Sequence, residues 1–225
     1  MTDAHCHVTG GDPSVREFLI GRDFIGVHPW ETRDEGRGNR ERVEELRNRL
    51  QEDSRIGIGE IGLDRLKDRT ISQCMREVFE AQLKLAAEFH RPVVLHGAKC
   101  WGQVVGTIRR LFPVSSSLFP LPSFLFHGFS RSDGLIPDIV ALNGYISVGP
   151  AVLNGHAVNY RELVKRIPSD RLLVETDRTV ENAADCPSVR DVAAAVAELR
   201  GMTPEELEKI TERNADTFIC YNTPK

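Results

Sequence analysis

The chain has 225 residues, 40% of them hydrophobic, and a formal net charge of −4 with its seven histidines counted as neutral. That length holds one sizeable core and falls in the range that α/β barrels occupy as one domain, so a single domain over residues 1–225 is expected. The acidic balance excludes a global positive field that would draw in nucleic acid from a distance, so any polyanion contact must be local.

In chain order, Met1–His7 reads as a first strand, and only Val8–Asp23 is left to supply a second, with Phe18-Leu19-Ile20 as its truncated candidate. Phe24–Val27 follows, then a helical period through Val43, Leu46 and Leu50. The run Ile56–Ile61 has the length of a buried strand, and Ile71, Met75, Val78, Phe79, Leu85, Ala86 and Phe89 again repeat with helical spacing. Pro92–Leu95, Phe124–Phe126, Tyr145–Val148 and Leu172–Val174 are further short apolar runs, and the Ser- and Pro-rich Pro113–Pro122 is the most breakable segment. Val189, Val192, Ala193, Val196 and Leu199 predict a helix closed by Gly201. Thr203, Pro204 and Glu206 supply an N-cap, a first-turn proline and a capping-box partner ahead of Leu207 and Ile210. No repeat, low-complexity tract or linker long enough to separate domains interrupts this alternation. It predicts an α/β fold with a parallel sheet under helices, and polar residues at the ends of the apolar runs favour a TIM-like (β/α) barrel. Eight strands are expected, the second truncated.

The polar residues at those ends have the character of metal ligands. Strand alternation puts His5 and His7 on one face and Cys6 on the other. Alone, a His-x-His pair is more often a solvated surface pair. Here Glu60, His96, His127 and Asp177 also stand at or just past the ends of other runs, so several strands direct ligand-type groups to one rim. A carboxylate ending a buried strand is costly to desolvate unless a cation or an arginine meets it. Four histidines and two carboxylates exceed the needs of one closed tetrahedral zinc, which points to two divalent ions. Glu60 would bridge them, and Asp177 would bind metal and accept the proton of an attacking water. The mixed donors suit Zn, Mn, Fe or Co, and Mg less well.

At these residues the chain resembles the TatD family of metal-dependent hydrolases, among the amidohydrolase-like barrels. Asp3-Ala4-His5-Cys6-His7, Gly26-Val27-His28-Pro29 and Gly59-Glu60-Ile61-Gly62-Leu63-Asp64 are similar to its first three motifs. Pro92-Val93-Val94-Leu95-His96, Phe126-His127-Gly128-Phe129-Ser130 and Leu173-Val174-Glu175-Thr176-Asp177 follow in order, with Gly144-Tyr145-Ile146-Ser147 between the last two. The resemblance implies two adjacent divalent ions on His5, His7, Glu60, His96, His127 and Asp177, and deoxyribonuclease activity, often exonucleolytic from the 3′ end. The chain also departs from the pattern. Ala98 stands where the family usually has an arginine, with Lys99 next; Arg178-Thr179 replaces Ala-Pro; Arg131-Ser132 replaces Gly-Ser; and the segment after His7 is shorter than usual.

Lys99, Arg131 and Arg178 are the candidate phosphate contacts, with His28 as a residue that either lines the cleft or packs at a strand end. Trp30 could stack a base but reads more simply as core or rim packing, and Asp64 as either a turn residue or a group orienting a ligand. His90 and His156 lack ligand company, and Arg109, Arg110, Arg161, Lys165 and Arg166 read as solvated helix faces. Five cysteines, at 6, 74, 100, 186 and 220, suit free thiols in a reducing compartment. No leader-like segment and no run of about 18 apolar residues occurs, so a cytoplasmic protein without membrane association or organic cofactor is expected. The leading function is a two-metal DNase; the alternatives are a metal-dependent amide, ester or lactone hydrolase and a catalytically weak metal-binding interaction module. The sequence leaves the oligomeric state open.

Overall fold

The computed structural model describes residues 1–32, 36–113 and 121–220; residues 114–120 of the Ser- and Pro-rich stretch lie outside these. Its eight strands are β1 (Thr2–Cys6), β2 (Arg16–Leu19), β3 (Phe24–Ile25), β4 (Gly57–Asp64), β5 (Val93–Ala98), β6 (Phe124–Phe126), β7 (Gly144–Val148) and β8 (Leu172–Val174). β1 and β2 form one parallel pair, and β3 to β8 form a six-stranded parallel sheet in sequence order. An isolated parallel bridge from Ile20 to Phe24 joins the two sheets. At the other seam, Asp177 N–H donates to the His5 carbonyl at 3.0 Å, and the N–H groups of His7 and Val8 donate to the Arg178 carbonyl at 2.8 and 3.2 Å. The strands therefore follow one another around a TIM-type barrel. The second strand begins at Arg16, earlier than the apolar run Phe18–Ile20 marks it, because pairing to Thr2 and Asp3 recruits the polar Arg16 and Glu17.

From β3 onward every crossover carries a helix: α1 (Gly36–Glu52), α2 (Gln73–Glu88), α3 (Trp101–Leu111), α4 (Ile136–Ala141) and α5 (Val158–Arg166), with α6 (Val189–Arg200) and α7 (Pro204–Ile219) after β8. The connections of β1 to β2 and of β2 to β3 carry none, although parallel neighbours ordinarily need about a dozen residues or more between them. The helix ends follow their sequence signals. Ser72 caps α2, Thr203 and Glu206 close a capping box at α7, and α6 stops at Gly201 in the left-handed conformation with φ 66°.

Strand alternation sets up the site. Val94, Leu125 and Leu173 pack into the barrel interior with Phe18, Phe24 and Tyr145. Two residues further along come His96 in β5 and, just past the ends of β6 and β8, His127 and Glu175, with Asp177 two residues beyond. The floor beneath them is aromatic. Phe218 of α7 is fully buried, its ring centroid 5.9 Å from Phe24, 5.8 Å from Tyr145 and 6.2 Å from Phe18. A larger apolar layer, including Leu63, Phe79, Leu95 and Trp101, fills the space between sheet and helices.

Replacing Phe218 with Ala removes the side chain that joins the last helix to three strands, and should cost about 3–5 kcal/mol. Urea denaturation should show a lower midpoint with unchanged slope; a loss below ~1 kcal/mol would mean the floor closes over the gap.

Candidate metal centre

Two irregularities in strand pairing aim the first ligands. The register between β1 and β2 shifts between Asp3 and Cys6, around His5, and that between β4 and β5 shifts between Ile58 and Ile61, around Glu60. Such bulges bend a strand and redirect a side chain. Gly62 permits the second one: its φ is 154°, and a Cβ there would stand 2.0 Å from the His96 carbonyl oxygen. Past β8, Asp177 adopts a left-handed φ of 49°, a conformation that costs a non-glycine residue roughly 1–3 kcal/mol.

Around Glu60 the donors fall into two sets. Oε2 lies 3.7 Å from His5 Nε2 and 3.6 Å from His7 Nε2, while Asp177 Oδ1 lies 3.4 and 3.7 Å from the same two nitrogens. Two ligands on one tetrahedral ion with bonds of about 2.1 Å stand about 3.4 Å apart, so these four atoms fit a shared cation as they are. Oε1 faces the second set, 2.5 Å from His96 Nδ1, 2.7 Å from His127 Nε2 and 3.7 Å from His28 Nε2. The two short contacts are direct hydrogen bonds and would open by roughly 0.7–0.9 Å to share an ion. Buried polar atoms supply a second test. His5 is fully buried, its ring stacked 3.9 Å from His127, and both of its nitrogens lack a hydrogen-bond partner. Leaving a buried polar group unsatisfied costs roughly 1–3 kcal/mol, which a metal bond to Nε2 removes for one of them. The donor set fits divalent metal, and a metal cofactor is part of this protein's chemistry.

Behind the ligands stands a ring of further carboxylates. Asp64 Oδ2 lies 2.7 Å from His96 Nε2, and its Oδ1 accepts from the N–H groups of Leu66 and Lys67 at 2.6 and 2.9 Å, so it serves both as turn residue and as orienting group. Glu175 accepts from Gly128 N–H at 2.8 Å and from the Ser147 hydroxyl, and its Oε1 lies 3.7 Å from His127 Nδ1. Asp3 accepts from Thr176 N–H at 3.0 Å and its hydroxyl at 2.6 Å, tying β1 to β8; burial pushes the Asp3 carboxyl up to about 6 against those hydrogen bonds. Sequence reading assigned no role to Glu175, Asp3 or Ser147. The signal was available for the two acids, since each lies two residues before a candidate ligand at or just past a strand end.

The residues expected at the substrate divide. Asp177 borders three cavity lobes of about 800, 640 and 540 Å³ that meet at the centre. Lys99 and Arg131, each in a left-handed turn with φ 57°, line the 640 Å³ lobe beside His96 and His127, and neither has an ion pair among the described residues. His28 borders the 540 Å³ lobe. Its Nδ1 accepts from Trp30 N–H at 3.2 Å, which leaves Nε2 to face the centre, where it stands with Glu60 and His96 as a further candidate group. Arg178 is the exception. Its guanidinium packs under Gly10 and donates to the Cys186 carbonyl at 3.4 Å, because the short β1–β2 connection leaves that space to it. It does not reach the cleft. His156 borders the 800 Å³ lobe and is exposed.

Burial alone would raise Glu60 and lower His127, but their mutual attraction outweighs it and holds Glu60 well below and His127 well above their usual ranges. The metal-free pair is thus carboxylate and imidazolium at neutral pH. A ligand imidazole must be neutral, so loading should release about one proton, and affinity should fall as pH falls. Calorimetric titration with Zn²⁺ or Mn²⁺ in buffers of different ionisation enthalpy reads this directly; a heat independent of buffer would refute it. Replacing Glu175 with Gln, which must lose at least one of the accepted hydrogen bonds, should weaken metal binding roughly 10- to 100-fold in the same experiment.

The profile of the TatD related DNase family matches residues 21–219, beginning just past β2. The metal-dependent hydrolase YabD of Bacillus subtilis (strain 168) is 31% identical over 222 residues, covering 96% of this chain and 84% of that protein. The 3′-5′ ssDNA/RNA exonuclease TatD of Edwardsiella piscicida is 28% identical over 202 residues, covering 84% of this chain and 74% of that one. Among solved structures, the TatD homologue YjjV of Escherichia coli K12 superposes with a TM-score of 0.76 over 97% of both chains at 22% identity, a likeness of fold. With the family profile spanning most of its length and the ligand-type residues gathered at the barrel mouth, this chain belongs to the TatD related DNase family.

Proposed function

We propose that residues 1–225 act as one two-metal hydrolase domain that cleaves phosphodiester bonds in DNA, removing nucleotides from the 3′ end. The observation that carries two ions is the division of labour at Glu60: one oxygen faces His5 and His7, with Asp177 beside them, and the other faces His96 and His127. An imidazole-rich donor set favours Zn, Mn, Fe or Co over Mg. When bound, the metal supplies an activated water at neutral pH and offsets negative charge on the phosphate.

The chain's own residues do the rest. Asp177 takes the proton of the attacking water as its oxygen bonds to phosphorus and the ester oxygen departs with the remaining strand. Burial raises the Asp177 carboxyl, but the His5 imidazole 3.4 Å away and the charge of His127 hold it below its usual value, so it is ionised and ready to accept. His28 Nε2–H and the side chains of Lys99 and Arg131 supply donors to phosphate oxygens. Those two cations are unpaired in a protein whose arginines mostly meet carboxylates or carbonyls, and this local charge favours phosphate over a neutral amide, ester or lactone. The free thiols of Cys6 and Cys100, both buried, support a reducing compartment such as the cytoplasm. Among the described residues no helix is long and apolar enough to cross a membrane.

Single-stranded DNA labelled at its 3′ end should lose label in the presence of Mn²⁺ or Mg²⁺ and keep it in chelator. Asp177→Asn should slow the reaction by about 10²–10⁴-fold while leaving the thermal transition in place. Lys99→Ala and Arg131→Ala should each raise KM more than they lower kcat. A wild-type protein inert on DNA under every metal, yet active on amides, esters or lactones, would overturn the nuclease reading.

A further inference from the structure

We propose that Trp30 is the base-stacking platform of this site, receiving the nucleobase of the nucleotide that is being removed. The inference rests on the nuclease reading and deepens it. Trp30 sits in the turn Pro29–Glu31 directly after β3, and 52% of it is exposed, whereas Trp101, the only other tryptophan, is buried in the helix layer. A large indole left in water at a cleft forfeits the burial that would stabilise it in a core, so its position asks for a ligand with an apolar face. Exposure of large apolar side chains is concentrated around this mouth. Leu66, Leu153, Val158 and Val180 all lie on connections that leave the C-terminal ends of strands.

The indole is also held in register with the metal centre. Its N–H is turned to Asp64, the carboxylate that takes His96 Nε2 at 2.7 Å. His28 meets it edge-on at 5.0 Å, and its centroid is 6.1 Å from that of His96. It lines the 540 Å³ lobe with Ile20, Ile25 and Gly26, whose other wall is Glu60 and His7. A base lying on this ring therefore belongs to the nucleotide at the scissile phosphate, the one being removed. Lys67 Nζ lies over one face of the ring, 5.8 Å from its centroid, with no ion pair among the described residues, so the base stacks on the opposite face. The alternative role, in which Trp30 acts only by steadying Asp64 and His96, predicts a different pattern of substrate effects.

The test pairs enzyme variants with substrates. Two single-stranded oligonucleotides, identical except that one carries thymidine and the other an abasic tetrahydrofuran at the 3′ end, are compared by kcat/KM. Stacking on an aromatic side chain should make wild type favour the base-bearing end by roughly 5- to 100-fold. Trp30→Ala should bring that ratio close to one, and Trp30→Phe, which keeps an aromatic face but not the N–H, should retain most of it. A ratio unchanged in Trp30→Ala, or already near one in wild type, overturns the proposal while leaving the nuclease reading intact. Tryptophan fluorescence in chelator supplies an arm independent of turnover. Thymidine 5′-monophosphate, but not deoxyribose 5-phosphate, should quench wild type and not Trp30→Phe, in which only buried Trp101 emits. If wild type degrades no DNA, that quenching upholds the platform and its absence overturns it.

Discussion

The site depends on one buried negative charge. Glu60 is 5% exposed at the irregular point of β4, and the low-dielectric barrel interior would expel its carboxylate were it not surrounded by imidazoles on both of its oxygens. Every other feature of the centre answers that charge. His127 is drawn into the protonated form beside it, His5 and His7 crowd its second oxygen, and His28 turns its Nε2 towards it. A cation bound there would replace protons as the neutralising charge, so metal loading and proton release would belong to the same event.

An outer set of acids keeps the imidazoles from rotating. Asp64 holds His96, Glu175 fixes the turn that carries His127, and Asp3 binds the strand of His5 to the strand of Asp177. Each of these acids is nearly or fully buried, and each has hydrogen-bond donors from backbone or hydroxyl groups that make its burial tolerable. The same Asp64 faces the indole of Trp30, so one carboxylate sets both a ligand and the rim of the cleft.

The shortened opening of the chain has a structural answer as well. With no helix between β1 and β2 or between β2 and β3, the seam from β1 to β8 is tied by backbone bonds from His7 and Val8 to the Arg178 carbonyl, while the Arg178 side chain occupies the space beneath Gly10. The residue that looked from sequence like a replacement phosphate cation is therefore part of the closure that holds His7 in place. Lys99 and Arg131 remain on the cleft, both turned into it from left-handed backbone.

The sequence by itself determined the strand order, the helix signals at Thr203 and Gly201, and which residues are candidate metal ligands. These are local matters: side-chain period, cap chemistry and the cost of ending an apolar strand in a charged group can all be read within a few residues. Thus His5, Glu60, His96, His127 and Asp177 were visible as residues that burial alone could not explain. Only the tertiary structure decided which oxygen of Glu60 faces which imidazoles, that Glu175 and Asp3 stand behind them, that Arg178 turns away, and that Phe218 of the last helix closes the barrel floor. Those outcomes depend on groups far apart in the chain meeting across the barrel, where a bulge or a missing helix changes a side chain's direction without leaving a mark in the local pattern.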